Sequence, residues 1–577
     1  MKNWFLAFLL LLVMPFDISF AQSQGNWGDG EVARQYVKWA ETAIAEDRWG
    51  EALAGLERAS DFASVSSDIS YLLALARFHE RGRRSGIIES LDKALEINRW
   101  TNYNPQQAYL LKTEQLIGMR NYSGALAMLD RMKESADSAM QRLLALKGLA
   151  ETGGWIGIDP IQALAKYRSL TVTAFDRYPR DPRPLRIFLE YARKRKPGLS
   201  PVTLGSRPLT DDVNLLELAL RRLPFLMEAD PDLAWMAAPF MRDAEAARRL
   251  VASYRAETVF PNPGSIAAAL NLGLIDEKLA LEELFSSIAV NEGPVLDKDL
   301  IMEIGELLRS EEGRELFTQK LLSFTGVITY GEEDGYVESR AFYRAGVILE
   351  FILDLNRAGI IDLSVSFGTD GIPLSARRIV SGEKPHAAVQ WERYPSVRQI
   401  TFLGETFLFR PADFQFAPVH FTSLGGSKNN AGLAYPVPER QNMDLTRKTL
   451  VSFCESIVRP SVEFDGVVER IFLERGIPSH AVETLDEKRV SVTRFEKGAP
   501  VIQYLDFDLD GRIETIRRFN KPGADFENTF NIRDLTASSI SDWTGEGIYK
   551  TGELYLPDGS VVFLWDMDGD GVMDYKE

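Results

Sequence analysis

Twelve residues near the end of the chain set acidic side chains at the spacing a hard cation needs. In Asp566-Met-Asp-Gly-Asp-Gly-Val-Met-Asp-Tyr-Lys-Glu577, carboxylates stand at the first, third, fifth, ninth and twelfth positions (Asp566, Asp568, Asp570, Asp574 and Glu577), and Gly571 stands at the sixth. Calcium takes roughly six to eight oxygen ligands, and a chain coiling round the ion offers it every second side chain. Gly571 permits the sharp turn that brings the carbonyl of Val572 to the ion. Without a cation the crowded carboxylates would repel one another. The pattern therefore predicts a calcium site, structural rather than signalling.

The segment Asp506-Phe-Asp-Leu-Asp-Gly-Arg-Ile-Glu514 repeats the pattern. Asp506, Asp508, Asp510 and Glu514 are its acids, and Arg512 supplies the carbonyl that Val572 supplies in the last loop. Its twelfth position is Arg517, so no acid completes the set there. Three poorer copies share the frame, at Tyr330–Glu338, Asp354–Asp362 and Ser461–Glu469. These read as hairpin turns, which need a residue at positive φ and no metal. The ligand spacing matches the EF-hand, but the flanks do not. Val501-Ile-Gln-Tyr-Leu and Val561-Val-Phe-Leu-Trp lead into the two full loops and suit strands, not helices. The loops thus resemble the strand-flanked calcium loops of FG-GAP repeats. Their uneven spacing does not establish a propeller.

The elements that must hold these loops are strands. From about residue 325 the pattern shifts to alternation with Asp-Gly turns, and Ser364–Pro373, Val501–Arg518 and Gly547–Trp565 each read as strand, turn, strand. Helices are expected to interrupt at Tyr343–Asn356 and Leu445–Ile457.

The N-terminal half has a different period. Ala52, Leu56 and Ala59 place a small, an apolar and a small residue on one helix face. The triplet recurs as Ile87, Leu91, Ala94, as Ala125, Leu129, Met132 and as Ala163, Tyr167, Leu170, with first members 35, 38 and 38 residues apart. This resembles the second helix of tetratricopeptide (TPR) repeats, with Trp39, Ala40 and Ala43 the best version of the first helix. The resemblance implies an α-solenoid whose concave face binds a protein or peptide. After a Pro/Gly break at 196–201, Asn214–Leu223, Ser265–Leu274 and Leu279–Ile288 again read as helices.

Composition bounds the rest. Lys2 followed by the apolar run Trp4–Phe16 and by Ser19-Phe20-Ala21 predicts a secretory signal over residues 1–21. No later run is long enough for a transmembrane helix. The single cysteine, Cys454, allows no intrachain disulfide and reads as an apolar filler, which favours a bacterial periplasm or cell envelope. A net charge of −17 argues against nucleic acid as a partner. His79, His386, His420 and His480 sit in no ligand spacing, and no phosphate loop or nucleophile elbow appears.

The sequence thus predicts an α+β multidomain chain: signal peptide 1–21, TPR-like α-solenoid 22–195, further helical region 196–325 and a mainly β region 326–577 of antiparallel hairpins with calcium loops. The function that fits is a secreted envelope scaffold with a protein partner on the solenoid. A glycan-active or hydrolytic enzyme in the C-terminal half and a surface adhesin or carbohydrate binder are the alternatives. No catalytic residues are assigned.

Overall fold

Short residues at helical spacing shape the N-terminal part of the computed structural model. The structure describes residues 29–577 except 63–65, 153–158, 196–209, 260, 287–293, 332–335, 379–385, 426–431, 440–444, 520–535, 543, 545–546 and 557–559, and also excepts the side chains of 29, 195, 210–214 and 536–537. The expected signal peptide and the 196–201 break lie outside the described residues. The chain divides into two compact units, 1–153 and 154–577.

The first unit is a run of helices: α1 (Asp29–Ala45), α2 (Trp49–Phe62), α3 (Ser67–His79), α4 (Arg84–Ile97), α5 (Pro105–Gly118), α6 (Tyr122–Leu129) and α7 (Ala136–Thr152). Three helical hairpins share one turn. Asp47, Arg81 and Arg120 each adopt a left-handed backbone, with φ of 59, 54 and 58°. The next N–H then bonds back to the carbonyl five residues earlier: Arg48 to Ala43, Gly82 to Arg77 and Asn121 to Leu116, at 2.8, 2.7 and 2.8 Å. Ala40, Ala43, Ala52, Leu56, Ala59, Leu72 and Ala76 form one core, and Ala74, Ile87, Leu91, Ala94 and Ala108 the next. Each second helix is thus sandwiched by first helices, which approach because the side chains between them are short. The predicted triplets hold at their first two members. Met132 falls beyond the end of α6, and in the fourth copy Thr171 is buried where Leu170 was expected.

The second unit opens with helices α8 (Pro160–Arg177), α9 (Arg183–Arg195), α10 (Thr210–Leu226), α11 (Leu233–Ala237), α12 (Ala244–Glu257), α13 (Gly264–Asn271) and α14 (Glu277–Ser286). Strand β1 (Val295–Asp297) and helices α15 (Lys298–Leu307) and α16 (Glu311–Leu322) follow. Strands then dominate: β2 (Gly326–Tyr330), β3 (Ser339–Arg344), β4 (Val347–Leu353), β5 (Leu363–Phe367), β6 (Pro373–Arg378), β7 (Ala387–Arg393), β8 (Ser396–Phe402) and β9 (Glu405–Leu408). A separate hairpin, β10 (Val419–Leu424) with β11 (Leu433–Pro438), and helix α17 (Arg447–Phe453) interrupt them. The sheet resumes with β12 (Ser456–Pro460), β13 (Val468–Glu474), β14 (Ile477–Leu485), β15 (Lys488–Glu496), β16 (Ala499–Leu505), β17 (Thr515–Phe519), β18 (Thr536–Ser541), β19 (Thr551–Tyr555), β20 (Val561–Trp565) and β21 (Tyr575–Lys576).

Each strand from β2 to β9 pairs antiparallel with the next, β9 pairs with β12, and the meander continues to β21, while β1 joins β2 in parallel. One core runs from Ile266 of α13 to Leu473 of β13, so the last helices before the sheet cover its first half. The architecture is α+β, helical hairpins first and antiparallel strands after.

Two expected elements need correction. Tyr343–Asn356 is not a helix but the end of β3, a turn and β4. Ala345 and Gly346, at φ of 48 and 77°, form that turn, and Val347–Leu353, apolar except for Glu350, fits a strand with apolar residues on both faces as well as a helix. The helix expected at Leu445–Ile457 is confined to Arg447–Phe453, and Ser456 and Ile457 begin β12.

Close packing gives the hairpins a clear test. A Cβ on Gly118 of α5 would stand 1.2 Å from Nη1 of Arg84, which is 1% exposed. Gly118→Ala must displace this buried guanidinium and should cost about 1–3 kcal/mol despite its better helix propensity. A lowered midpoint in thermal unfolding is expected, and an unchanged one would contradict the packing described.

Candidate metal-binding loops

An antiparallel meander returns to the same edge after every second strand. The connections after β2, β4, β12, β16, β18 and β20 therefore all lie on one edge, and these include every acidic loop read from the sequence. Alternate connections are spaced by two strand separations, about 10 Å.

One hydrogen-bond frame defines the loops. The N–H of the sixth-position glycine donates to the first-position aspartate: Gly359 to Asp354 Oδ2 at 2.7 Å, Gly511 to Asp506 Oδ2 at 3.0 Å and Gly571 to Asp566 Oδ2 at 2.8 Å. The second-position N–H donates to the ninth-position carboxylate, Leu355 to Asp362, Phe507 to Glu514 and Met567 to Asp574, at 2.7, 2.6 and 3.0 Å. The fourth and sixth residues are left-handed in all three: Arg357 and Gly359, Leu509 and Gly511, Gly569 and Gly571. The Ser461 loop does not follow the frame: its Ser461 hydroxyl accepts from the N–H groups of Glu463 and Phe464 and donates to Glu483. The Tyr330 loop includes 332–335, outside the described residues.

The structure gathers Asp506, Asp508, Asp510 and Glu514 so that one ligand oxygen from each lies within 4.8 Å of the others. Asp566, Asp568 and Asp570 gather in the same way. Asp574 stands outside that group with an oxygen on the Met567 N–H. Glu577 pairs through its backbone with Phe563, as part of the sheet rather than of the loop. The N–H groups of Arg512 and Val572 donate to Asp510 and Asp570, at 2.7 and 2.8 Å. Strands flank both loops, as the sequence predicted.

The electrostatics show the crowding. Desolvation pushes the Glu514 carboxyl above its ordinary range, and Asp508 and Asp506 push the same way against the Phe507 N–H. Burial pushes Asp566 up too, but the N–H groups of Gly571, Gly569 and Asp570 together hold it below the usual carboxylate value. The Asp570 N–H pulls Asp568 down, yet Asp570, desolvation, Asp574 and Asp566 leave it raised. Such a donor set, all hard oxygen, fits calcium.

Sequence reading missed a further loop. Asp542, 3% exposed, accepts from the N–H of Gly547 at 2.6 Å, in the same frame. Its first and fifth positions, Asp542 and Glu546, are acidic, but Thr544 and Lys550 stand at the third and ninth, so the acidic spacing is only half kept. Asp542, Glu546 and Gly547, at the first, fifth and sixth positions, were the readable signal.

From β12 to β15 one face of the sheet carries a buried polar file. Arg459, Glu469 and Glu483 are cross-strand neighbours, and Ser491 follows. Arg459 bonds Glu469 at 2.7 Å, and the hydroxyls of Ser461 and Ser491 donate to Glu483. Glu469 and Glu483 are each 4% exposed, so this pair of carboxylates braces the sheet and meets no solvent-borne substrate. Cys454 is buried, and its desolvation pushes the thiol up to about 12, which keeps it protonated and inert.

No family model matches the chain. An uncharacterized protein of Treponema pallidum is 22% identical over 93% of this chain and 80% of its own. Among solved structures, the chain is similar to YrrB, a TPR protein with an unusual peptide-binding site, at 14% identity over 34% of this chain and 89% of that one, TM-score 0.26. It is similar to PilW, a widely conserved type IV pilus biogenesis factor, at 15% identity over 39% and 94%, TM-score 0.29. The helical hairpins rest on their own geometry. Among the described residues no helix is long and apolar enough to cross a membrane.

The Glu483 carboxyl yields a pH prediction. Burial raises it despite the two serine donors, and Glu469 and Glu463 raise it further. The folded chain therefore binds this proton more tightly than the unfolded chain does, and stability falls as pH rises through the raised value. Glu483→Gln should raise the melting temperature at pH 7, and the gain should shrink as pH falls toward about 4.3. A gain that grows in acid would contradict this assignment.

Proposed function

We propose that the chain is a secreted bacterial envelope scaffold, in which helical hairpins hold a protein or peptide partner and calcium braces the acidic loops of the β-meander. The hairpin stack of residues 29–152 carries this reading. Its buried positions are mainly small and apolar, and its three matching left-handed turns repeat one unit, the arrangement by which stacked hairpins present a surface to a partner. The partly exposed Trp39, 42% accessible, fits such a surface, because a ring held in place is a low-entropy anchor. Gly55 makes room for it: a Cβ there would meet the Trp39 ring at 2.5 Å. The apolar leader and the lone cysteine support secretion into the envelope.

Calcium is favoured over a bare acidic surface by one atom. Asp506 is 6% exposed, and its Oδ1 has no hydrogen-bond partner among the described residues. A buried carboxylate oxygen without a donor is costly, and a cation among Asp508, Asp510 and Glu514 removes that cost.

Both parts have direct tests. Capture from envelope extract with the intact chain should retain a partner that Trp39→Ala loses by about tenfold or more, at a temperature where circular dichroism shows the variant still folded. Equal retention by the variant would overturn the hairpin reading. For calcium, a chelator should lower the melting temperature and added calcium should restore it. Identical melting curves, together with no calcium bound in a titration, would remove the metal from the account.

A further inference from the structure

The acidic loops are not equivalent, and the loop between them explains why. The N–H of Asp542 donates to the carbonyl of Glu514 at 2.7 Å, and the N–H of Asp566 donates to the carbonyl of Lys550 at 2.9 Å. Each loop thus bonds the next, and the three stand in file along the edge as 506–514, 542–550 and 566–574. The outer loops carry Glu514 and Asp574 at the ninth position, where the middle loop carries Lys550. The Lys550 side chain runs against the last loop, its Cε 3.9 Å from where a Cβ on Gly569 would stand.

The first aspartates differ in what they have left to offer. Both oxygens of Asp566 are engaged, Oδ1 by the Gly569 N–H at 2.7 Å and Oδ2 by the Gly571 N–H at 2.8 Å. Asp506 gives only Oδ2 to Gly511, and its buried Oδ1 finds no donor among the described residues. The Asp506 group also gathers a fourth carboxylate, Glu514, whereas the Asp566 group gathers three. No lysine occupies the corresponding place before the first loop, since the carbonyl that receives the Asp506 N–H belongs to Val490. The cation within that loop, Arg512, reaches Oδ2 of Asp510 at 4.0 Å from a largely exposed position.

We propose that the row is an acid–lysine–acid array in which Asp506, Asp508, Asp510 and Glu514 form the tight calcium site, and Lys550 is a tethered cation that weakens calcium binding at the neighbouring Asp566 loop. The two sites then fill in order, the 506 loop first. This rests on the calcium reading above. It reverses the ranking that ligand spacing alone gives, since the last loop has the fuller sequence pattern.

The test is a calorimetric titration of the intact chain with calcium chloride, run on wild type, Asp506→Asn, Asp508→Asn, Asp566→Asn and Lys550→Gln. Wild type should show two classes of site. Asp506→Asn and Asp508→Asn should each abolish the tight class, and Asp566→Asn only the weak one. Lys550→Gln should tighten the weak class by about three- to tenfold and leave the tight one unmoved, as removal of one nearby positive charge requires. Loss of the tight class in Asp566→Asn, two sites of equal affinity, or a weak class insensitive to Lys550→Gln would overturn the array while leaving calcium binding intact. No binding by wild type would instead sink the calcium reading and the array with it.

Discussion

The β half of the molecule depends on one short hydrogen bond made repeatedly: the N–H of a left-handed glycine donating to the aspartate five residues before it. It occurs at Gly359, Gly511, Gly547 and Gly571. The bond closes a nine-residue loop tightly enough for strands on either side to pair in register, and the closure draws carboxylates inward. A side chain at the glycine would be strained, because φ there lies between 76 and 94°. Repetition of the same closure on one edge makes the last three of these turns, at Gly511, Gly547 and Gly571, neighbours. Charge then becomes the constraint that the array must satisfy, and the loops satisfy it in different ways: backbone donors on Asp566, a lysine in the middle loop, and at Asp506 an oxygen left over for a cation.

The helical half repeats a different closure under the same economy. Asp47, Arg81 and Arg120 turn each hairpin in a left-handed conformation, and alanines between the helices set how closely successive hairpins approach. Where a bulky group is buried, a glycine receives it, as Gly118 receives Arg84 and Gly148 receives Tyr122. Neither closure does chemistry by itself. Both hold surfaces at fixed spacing, which is the requirement of a scaffold.

The sequence made these closures legible unevenly. Small-apolar-small triplets revealed the hairpins because packing leaves no freedom at Ala52, Leu56 or Ala59. It failed at Met132 and Leu170, where the helix ends early or rotates to bury Thr171. Asp-Gly pairs revealed the full loops, but the Asp542 loop stayed hidden because its frame is carried by backbone donors, which tolerate Thr544 and Lys550 at the ligand positions. The β3–β4 hairpin reads as a helix because a strand with apolar residues on both faces has no alternation to show. The buried polar file from Arg459 to Ser491 was invisible for a related reason: its members are far apart in sequence and meet only through register.

Amide hydrogen exchange in the segment 499–519, with calcium and with chelator, bears most directly on the central claim. The Gly511 N–H is held by a carboxylate that a cation at Asp506 would fix in place. Calcium should slow exchange at Gly511 and along β16 and β17 by about tenfold or more, while α1 to α7 stay unchanged. Exchange in 499–519 that is the same with calcium as with chelator would contradict a cation-closed loop and leave the frame to its hydrogen bonds alone.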